Sequence, residues 1–333
     1  MAASSIVSFA RFAFSVAVFW LCFEVLAMLL LPWLPEMSFQ NDRQDELMPF
    51  HSARIWSPKP LSSFTKEGIL YSHDDRGLRT HRLNKKPTLL GIGDSTMFGF
   101  GVNAEDTLLY QTASCVDTGL INGGISGYSS SQSLRLLSEI LSQNEDIEWV
   151  VLSNLWSDLM RTHRSDDDFM ADLDRLAFHQ SLLNHFVFSK SPIIRLLSQT
   201  WFTYIKPLSP PLAVNRVLKG DDSGTLRRVS LAQYNYNIKS MIDIVRAHGA
   251  EPIILLLPSN ESGLDEIMVR YRLVADKLAY ENGVNLVDME KVFKQLPSEK
   301  RKLRFIDEVH PSVLGHAEIA TELCNIVRPI AYN

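Results

Sequence analysis

The chain has few cysteines, and their placement builds no framework. Cys22, Cys115 and Cys324 are three in 333 residues, far apart and odd in number. They show neither a disulfide scaffold nor a metal-ligand spacing. Cys115 and Cys324 are free to pair, but nothing local in the sequence supports a bridge. No basic block occurs and the formal net charge is −5, which argues against a nucleic-acid partner. Neither a repeat period nor a low-complexity tract stands out. No His/Asp/Glu cluster has ligand spacing, so no metal and no other cofactor is expected. What remains is an ordinary globular composition, 46% hydrophobic and 21% charged, in a length that suits one large or two ordinary domains.

Long apolar runs are missing too, with one exception. Residues 12–31 read FAFSVAVFWLCFEVLAMLLL, and twenty residues at helical rise cross a hydrocarbon core. Glu24 opposes insertion by about 3 kcal/mol, whereas each Phe, Leu and Val returns roughly 0.3–0.6 kcal/mol. The sum favours insertion, with Glu24 protonated or paired. Trp20 and Trp33 suit interface positions, and Pro32 and Pro35 end the helix. The competing reading is a cleaved signal peptide. The run is longer than the usual 7–15 residue leader core, and no small-x-small cleavage site follows. A buried soluble helix fits least, because the segment is apolar all round. A retained single-pass anchor is therefore favoured. Arg11 precedes it and an acidic flank follows (Glu36, Asp42, Asp45 and Glu46 against Arg43). The positive-inside rule then places the N-terminus in the cytoplasm and the body outside.

The chain divides into an anchor at 1–36, a stalk and lead-in at 37–86 rich in Pro, Ser and charge, and a main domain at 87–330. In that domain, Leu89, Leu90 and Ile92 form a short apolar run after Pro87, the pattern of a buried parallel strand. Further strands are expected near 119–123, 149–152, 252–257 and 284–287. Helices are expected near 106–115, from the caps at 129–131 to 141, and over 231–248, 264–282 and 313–327. Strand–helix alternation at this spacing means a parallel sheet with helices on both faces. An insertion at about 160–228 interrupts it. An excursion this long is expected to carry structure, a helical flap beside the active site or facing the membrane. Its Asp166-Asp167-Asp168 triplet reads as a solvated loop rather than a cation site.

The first strand stops at Gly93-Asp94-Ser95-Thr96. A Ser on the turn at the carboxyl end of a central strand sits where open α/β sheets place their chemistry. A serine nucleophile needs a base and a group to orient that base. Among nine His, His310 is the best candidate, three residues after Asp307 and just before a helix. Taken singly, Gly-Asp-Ser reads as a strand-to-turn transition and Asp-x-x-His as a surface helix cap. His316 reads as a helix-face residue, and His163, His179 and His185 have no motif around them.

Taken together, four blocks resemble the GDSL/SGNH hydrolase family in order across about 80–320. They are Gly93-Asp94-Ser95, then Asn122-Gly123-Gly124-Ile125-Ser126-Gly127-Tyr128, then the strand ending at Asp158, then Asp307-Glu308-Val309-His310-Pro311. The wording around them (Gly77-Leu78-Arg79, Phe98-Gly99-Phe100-Gly101-Val102, Gln132) is similar to the membrane-anchored bacterial members. The resemblance implies a flavodoxin-like three-layer α/β/α sandwich with five parallel strands in the order 2-1-3-4-5. It implies Ser95 as nucleophile, His310 as general base and Asp307 as its orienter. The oxyanion hole would be the Ser95 and Gly127 N–H groups with an Asn side chain from the third block. Here the chain departs from the pattern, because the usual Asn-Asp pair reads Ser157-Asp158. Either Asn154 from a shifted loop or the Ser157 hydroxyl would have to replace that donor. The implied activity is a membrane-anchored serine esterase acting on O-acyl, especially O-acetyl, esters of a cell-surface or exported polysaccharide. The alternatives are an O-acyltransferase to polysaccharide, a lipid esterase or thioesterase, and a non-catalytic scaffold on the same fold. The partners implied are an acylated carbohydrate or lipid, the membrane, and a membrane protein.

Overall fold

A computed structural model describes residues 2–30, 47–51, 53–144, 146–162, 165–171, 173–174, 191–200, 226–260 and 266–327. The chain splits into two compact units, one of residues 1–40 and 171–212, the other of residues 41–170 and 213–333.

The smaller unit contains α1 (Ala2–Leu30) and, from the middle of the insertion, α5 (Pro192–Thr200). The region from Arg11 to Leu30 is long and apolar enough to cross a membrane.

The larger unit is built on a five-stranded parallel sheet. Its strands are β1 (Pro87–Gly93), β2 (Gly119–Gly124), β3 (Trp149–Ser153), β4 (Glu251–Leu256) and β5 (Asn285–Asp288). The order across the sheet is β2-β1-β3-β4-β5, the doubly wound arrangement that the resemblance implies. Period-two alternation serves both faces. Leu89, Val151, Ile253, Leu255 and Val287 join one core with α3 (Leu108–Cys115) and α8 (Val313–Ile326). The alternate residues Leu90, Ile92, Val150, Leu152, Ile254 and Leu256 are buried as well. They face the layer of α4 (Ser130–Leu141), α6 (Leu231–Ala247) and α7 (Glu266–Asn282), which pack on one another. Burial on both faces is what makes these strands read as continuous apolar runs.

Register decides where the chemistry falls. Gly93, the last residue of β1, pairs with Gly124 at the end of β2 and with Ser153 at the end of β3. Three strand ends therefore open at one edge, followed by Ser95, Gly127 and Asn154. The approach is close enough to require glycine. A Cβ on Gly93 would lie 2.2 Å from the Ser153 carbonyl oxygen, and one on Gly124 would lie 2.3 Å from the Phe98 nitrogen.

Three features go beyond what the sequence alone settles. Residues 47–51 and 53–86, in the lead-in, carry structure of their own. They form the hairpins Phe50–His51 with Ile55–Trp56 and Ser63–Lys66 with Ile69–Ser72, and Trp56, Tyr71, Leu78 and Arg79 are buried. The polar composition hid this, because so few residues make the contacts. Within the insertion, residues 171–212 group with the N-terminal residues. The insertion's two ends meet in the larger unit, where Arg161–Thr162 pairs with Leu226–Arg227. Finally, Cys115 and Cys324 form a disulfide between α3 and α8, a link that 209 residues of separation concealed.

Candidate active site

Ser95 is the first residue of α2 (Ser95–Phe98), directly after β1. Asp94 caps this helix by accepting the Thr96 N–H at 3.1 Å. Gly99 closes it in the left-handed region at φ +83, the usual glycine solution at a helix end. Arg79 fixes the loop beyond. Its guanidinium donates to the carbonyls of Phe98, Gly99 and Val102 at 2.7, 2.5 and 2.6 Å and lies over the Tyr71 and Phe98 rings. Burial lowers the Arg79 pKa to about 10, which leaves it protonated at neutral pH. The tight turn carrying Ser95 is thus held at both ends by buried polar side chains, Asp94 and Arg79.

Asp307 and His310 come from the loop before α8. The Asp307 carboxylate accepts the backbone N–H groups of Val309 and His310 at 2.9 and 2.8 Å. These bonds close the loop on itself, and the Ile306 N–H donates to the His310 carbonyl at 2.8 Å. Asp307 Oδ2 then lies 2.7 Å from His310 Nδ1, and His310 Nε2 lies 2.8 Å from Ser95 Oγ. Residues 215 positions apart meet as hydroxyl, imidazole and carboxylate in series. The carboxylate on Nδ1 favours the tautomer in which Nδ1 carries the proton and Nε2 accepts from the Ser95 hydroxyl. Burial pushes the Asp307 carboxyl up. The hydrogen bonds from the His310 ring, its N–H and the Val309 N–H outweigh this and hold the pKa below the ordinary value. Phe100 covers one side of the imidazole, with ring centroids 4.8 Å apart, and Lys66 Nζ lies 4.6 Å from the Phe100 centroid.

The second strand-end loop is a β-turn over residues 125–128, closed by Tyr128 N–H to the Ile125 carbonyl at 3.0 Å. Gly127 is its third residue at φ +78, the position that needs glycine in a type II turn. Among the described residues, neither the Ser95 N–H nor the Gly127 N–H has an acceptor. The Gly127 carbonyl does have a partner, Arg228 Nη1 at 2.7 Å. Arg228 is 1% exposed and reaches this turn from the returning end of the insertion, where it also grips Asp166 through two hydrogen bonds of 3.1 and 2.7 Å. Gln132 Oε1 accepts from Arg228 at 2.8 Å and from the Ser129 N–H at 3.0 Å. That second bond is half of a capping box at the start of α4.

The third block is occupied differently from expectation. Asn154 is buried; its amide faces the Tyr128 carbonyl at 3.4 Å, and its own oxygen has no partner among the described residues. Ser157 is buried in the short helix Trp156–Leu159, and its N–H lies against the Asp94 carboxylate. Burial raises the Asp94 pKa, and the Thr96 N–H, His310 and the Ser157 N–H oppose the rise. Asp158 is fully buried and accepts both the N–H and the hydroxyl of Ser130. Burial lifts its pKa to about 7, against the pull of Ser130 and of Arg228.

The sequence reading missed this layer. Asp166-Asp167-Asp168 is solvated only in part: buried Asp166 pairs with Arg228, half-buried Asp167 accepts from Ser131 at 2.7 Å, and exposed Asp168 accepts from Ser165 at 2.7 Å. His316 is not on the helix surface. It is buried, its Nδ1 accepts the Leu108 N–H at the start of α3 at 3.2 Å, and burial lowers its pKa to about 3. His163, His179 and His185 lie outside the described residues. Among the described residues, no group of three or more His, Cys, Asp or Glu is arranged to hold a metal.

Against known proteins, no family model matches the chain and no curated protein matches it. Solved structures do. A lipase/acylhydrolase from Enterococcus faecalis is similar at 15% identity and a TM-score of 0.46, covering 73% of this chain and 98% of its own. An acetyl xylan esterase is similar at 15% identity and 0.46, covering 72% and 98%. A member of the lipolytic G-D-S-L family from Veillonella parvula is similar at 15% identity and 0.41, again covering 72% and 98%.

Proposed function

We propose that this chain is a serine esterase in which Ser95 is the nucleophile, His310 the general base and Asp307 the group that orients and stabilises the imidazole. The observation that carries the reading is the pair of contacts in series, 2.8 Å from Ser95 Oγ to His310 Nε2 and 2.7 Å from His310 Nδ1 to Asp307 Oδ2. Ser95 Oγ attacks the acyl carbonyl while His310 Nε2 takes its proton. The tetrahedral oxyanion is held by the N–H groups of Ser95 and Gly127, donors with no competing acceptor among the described residues. His310 then protonates the leaving alcohol, and the acyl group rests on Ser95. Water enters, gives its proton to His310 and attacks the ester. The carboxylic acid leaves and Ser95 is restored. Asp307 stays ionised throughout and favours the imidazolium that forms in each half-reaction.

Ser157 stands where the resemblance expects an amide donor, and the Asn154 amide is turned to Tyr128. A two-donor oxyanion hole is the consequence, and the loss of one donor typically costs about 10²–10³ in rate. A slow esterase is therefore expected. The substrate class, an O-acetyl or other O-acyl group on a cell-surface or exported polysaccharide, rests on the sequence resemblance. An anchored domain outside the cytoplasm is supported by the apolar span of α1 and by the Cys115–Cys324 disulfide, a bond characteristic of oxidising compartments.

The test is covalent. Full-length protein in detergent is treated with a fluorophosphonate probe and assayed with p-nitrophenyl acetate and an O-acetylated polysaccharide. Wild type is expected to label and to release acetate, and Ser95→Ala to do neither. Equal labelling of the two proteins overturns the esterase reading. Acetate release from the small ester but not from the polymer overturns the substrate class alone.

A further inference from the structure

The acidic residue inside the apolar span of α1 has partners supplied by the distant insertion. Ser191 Oγ donates to Glu24 Oε1 at 2.5 Å, and the Ile193 N–H donates to Glu24 Oε2 at 3.0 Å. The three residues belong to one compact unit. These bonds complete the start of α5. Pro192 at its first position has no N–H to satisfy. Ile193 donates to Glu24, and Ile194 donates to Ser191 Oγ at 3.5 Å. A carboxylate at a helix N-terminus is favoured by the exposed N–H groups and the helix dipole. Each element thus removes a liability of the other, a carboxylate in an apolar span and unsatisfied backbone donors.

Depth makes this informative. Glu24 lies six residues before Leu30, the end of the span, so it is about 9 Å inside that end at helical rise. A helix that begins beside Glu24 begins at that depth. α5 has nine residues, a length of about 13 Å. That suffices to return to the membrane surface but falls far short of the ~30 Å hydrocarbon core. Among the described side chains of α5, Leu197 is the exposed one, at 63%, and Phe12, Phe14, Leu21 and Leu29 of α1 are equally bare. Non-spanning helical backbone at membrane depth is tolerated where its polar groups are satisfied by protein, as the start of α5 is by Glu24 and Ser191.

We propose that α1 and α5 form a membrane-embedded pair in which α5 is a short re-entrant helix pinned by Glu24, and that the acyl-chain layer of the bilayer covers their exposed faces. This rests on reading α1 as a membrane span and adds a second segment to it. It also makes α1 a retained part of the mature protein, because a removed leader would leave the start of α5 without its acceptor. α5 then adds to the membrane attachment of α1.

The experiment places a nitroxide at Leu197→Cys, and separately at Leu21→Cys, in full-length Cys22→Ala protein in phosphatidylcholine vesicles. Collision with oxygen reports lipid, and collision with a water-soluble nickel chelate reports water. Both sites are expected to favour oxygen. A lipid signal at position 21 with a water signal at position 197 overturns the proposal and leaves the anchor standing, whereas water signals at both overturn the anchor as well. Glu24→Leu is expected to move only the position-197 probe towards water, with hydrolysis of p-nitrophenyl acetate unchanged; an unmoved probe overturns the pinning role. Intact mass of protein taken from membranes is expected to include residues 1–36, and a shortened chain overturns the retained pair.

Discussion

Two regions of the larger unit do opposite kinds of work a few residues apart. At the sheet edge, Ser95, His310 and Asp307 meet in two contacts, with the His310 and Asp307 side chains 17% and 47% exposed. Behind the Gly127 turn, Arg228, Asp166, Gln132, Ser130, Asp158 and Asn237 are buried and linked by many hydrogen bonds. Asn237 donates to Ser130 and Ser131 at 2.9 Å each, and these pass hydrogen bonds on to Asp158 and Asp167. The first region has reactive groups and little support of its own. The second has no access to substrate and sets where the turn lies. The comparison teaches that the two should fail differently when cut, the edge in rate alone and the interior in both rate and stability.

The largest effect sharpens the first half of that contrast. Ser95→Ala and His310→Ala are each expected to lower kcat by up to about a millionfold, with the double variant no worse, because the residues act as a unit. Tm should barely move, since both side chains are at least partly open to solvent. A fall in Tm as large as that of a core variant would show that the edge is structural after all.

Asp307→Asn comes next, with an expected loss of about ten-thousandfold in kcat through the wrong imidazole tautomer. This variant also has a pH signature. The Asp307 pKa is held below its ordinary value, and the unfolded value is about 3.9. Its contribution to stability is therefore complete above that unfolded value and is lost as pH falls through the lower folded one. Thermal unfolding of wild type and Asp307→Asn should differ by a constant amount at neutral pH and converge only in strong acid. Convergence near neutrality would contradict a carboxylate held ionised by these hydrogen bonds.

How much of each region could be read from the sequence follows the same division. The edge was legible because its parts are local: an apolar run ending in Gly-Asp-Ser, and an Asp three residues before a His. Helix starts were legible for the same reason, as at Thr107, Ser129, Ser230 and Ser312, each of which caps a helix. The interior was not, because its meaning lies in pairs 28 to 107 residues apart. Nothing near Asp166 announces Arg228, and nothing near Ser130 announces Asn237. The hairpins at residues 50–72 were hidden likewise. Tyr128 O–H donates to the Trp56 carbonyl at 2.6 Å and Gly101 N–H to the Tyr71 hydroxyl at 2.8 Å, while periodicity sees only short polar stretches.

A cut in the interior is smaller in rate and larger in stability. Arg228→Met leaves Asp166 buried without its partner, at a cost of about 3–5 kcal/mol, and releases the Gly127 carbonyl. Arg228→Lys keeps the charge but cannot reproduce the two-pronged grip. For Arg228→Lys, kcat is expected to fall by up to about a hundredfold, below the usual loss of an oxyanion donor, with KM unchanged. The Gly127 N–H matters in the transition state and not in the ground state, and that split identifies a positioning residue. A raised KM with kcat unchanged would assign Arg228 to substrate binding instead. Removing both partners in Asp166→Asn/Arg228→Met should destabilise less than Arg228→Met alone, because no unpaired charge remains.

The smallest effect is in Asp158, and its sign tests whether the interior is a network of charges or of neutral groups. Burial raises the folded pKa of this carboxyl to about 7, against about 3.9 unfolded. Between those values the folded state holds the proton more tightly, so stability from this group is greatest in acid and declines as pH rises towards 7. Above 7 the penalty is constant. Asp158→Asn has no such titration, and its side-chain oxygen can still accept from Ser130. The difference in Tm between wild type and Asp158→Asn should therefore shrink from pH 5 to pH 8, a comparison in which every other titrating group cancels. If the difference widens instead, Asp158 is ionised in the fold and anchored by Arg228. The interior would then resemble the exposed edge, an ionised carboxylate held by its donors rather than a neutral frame.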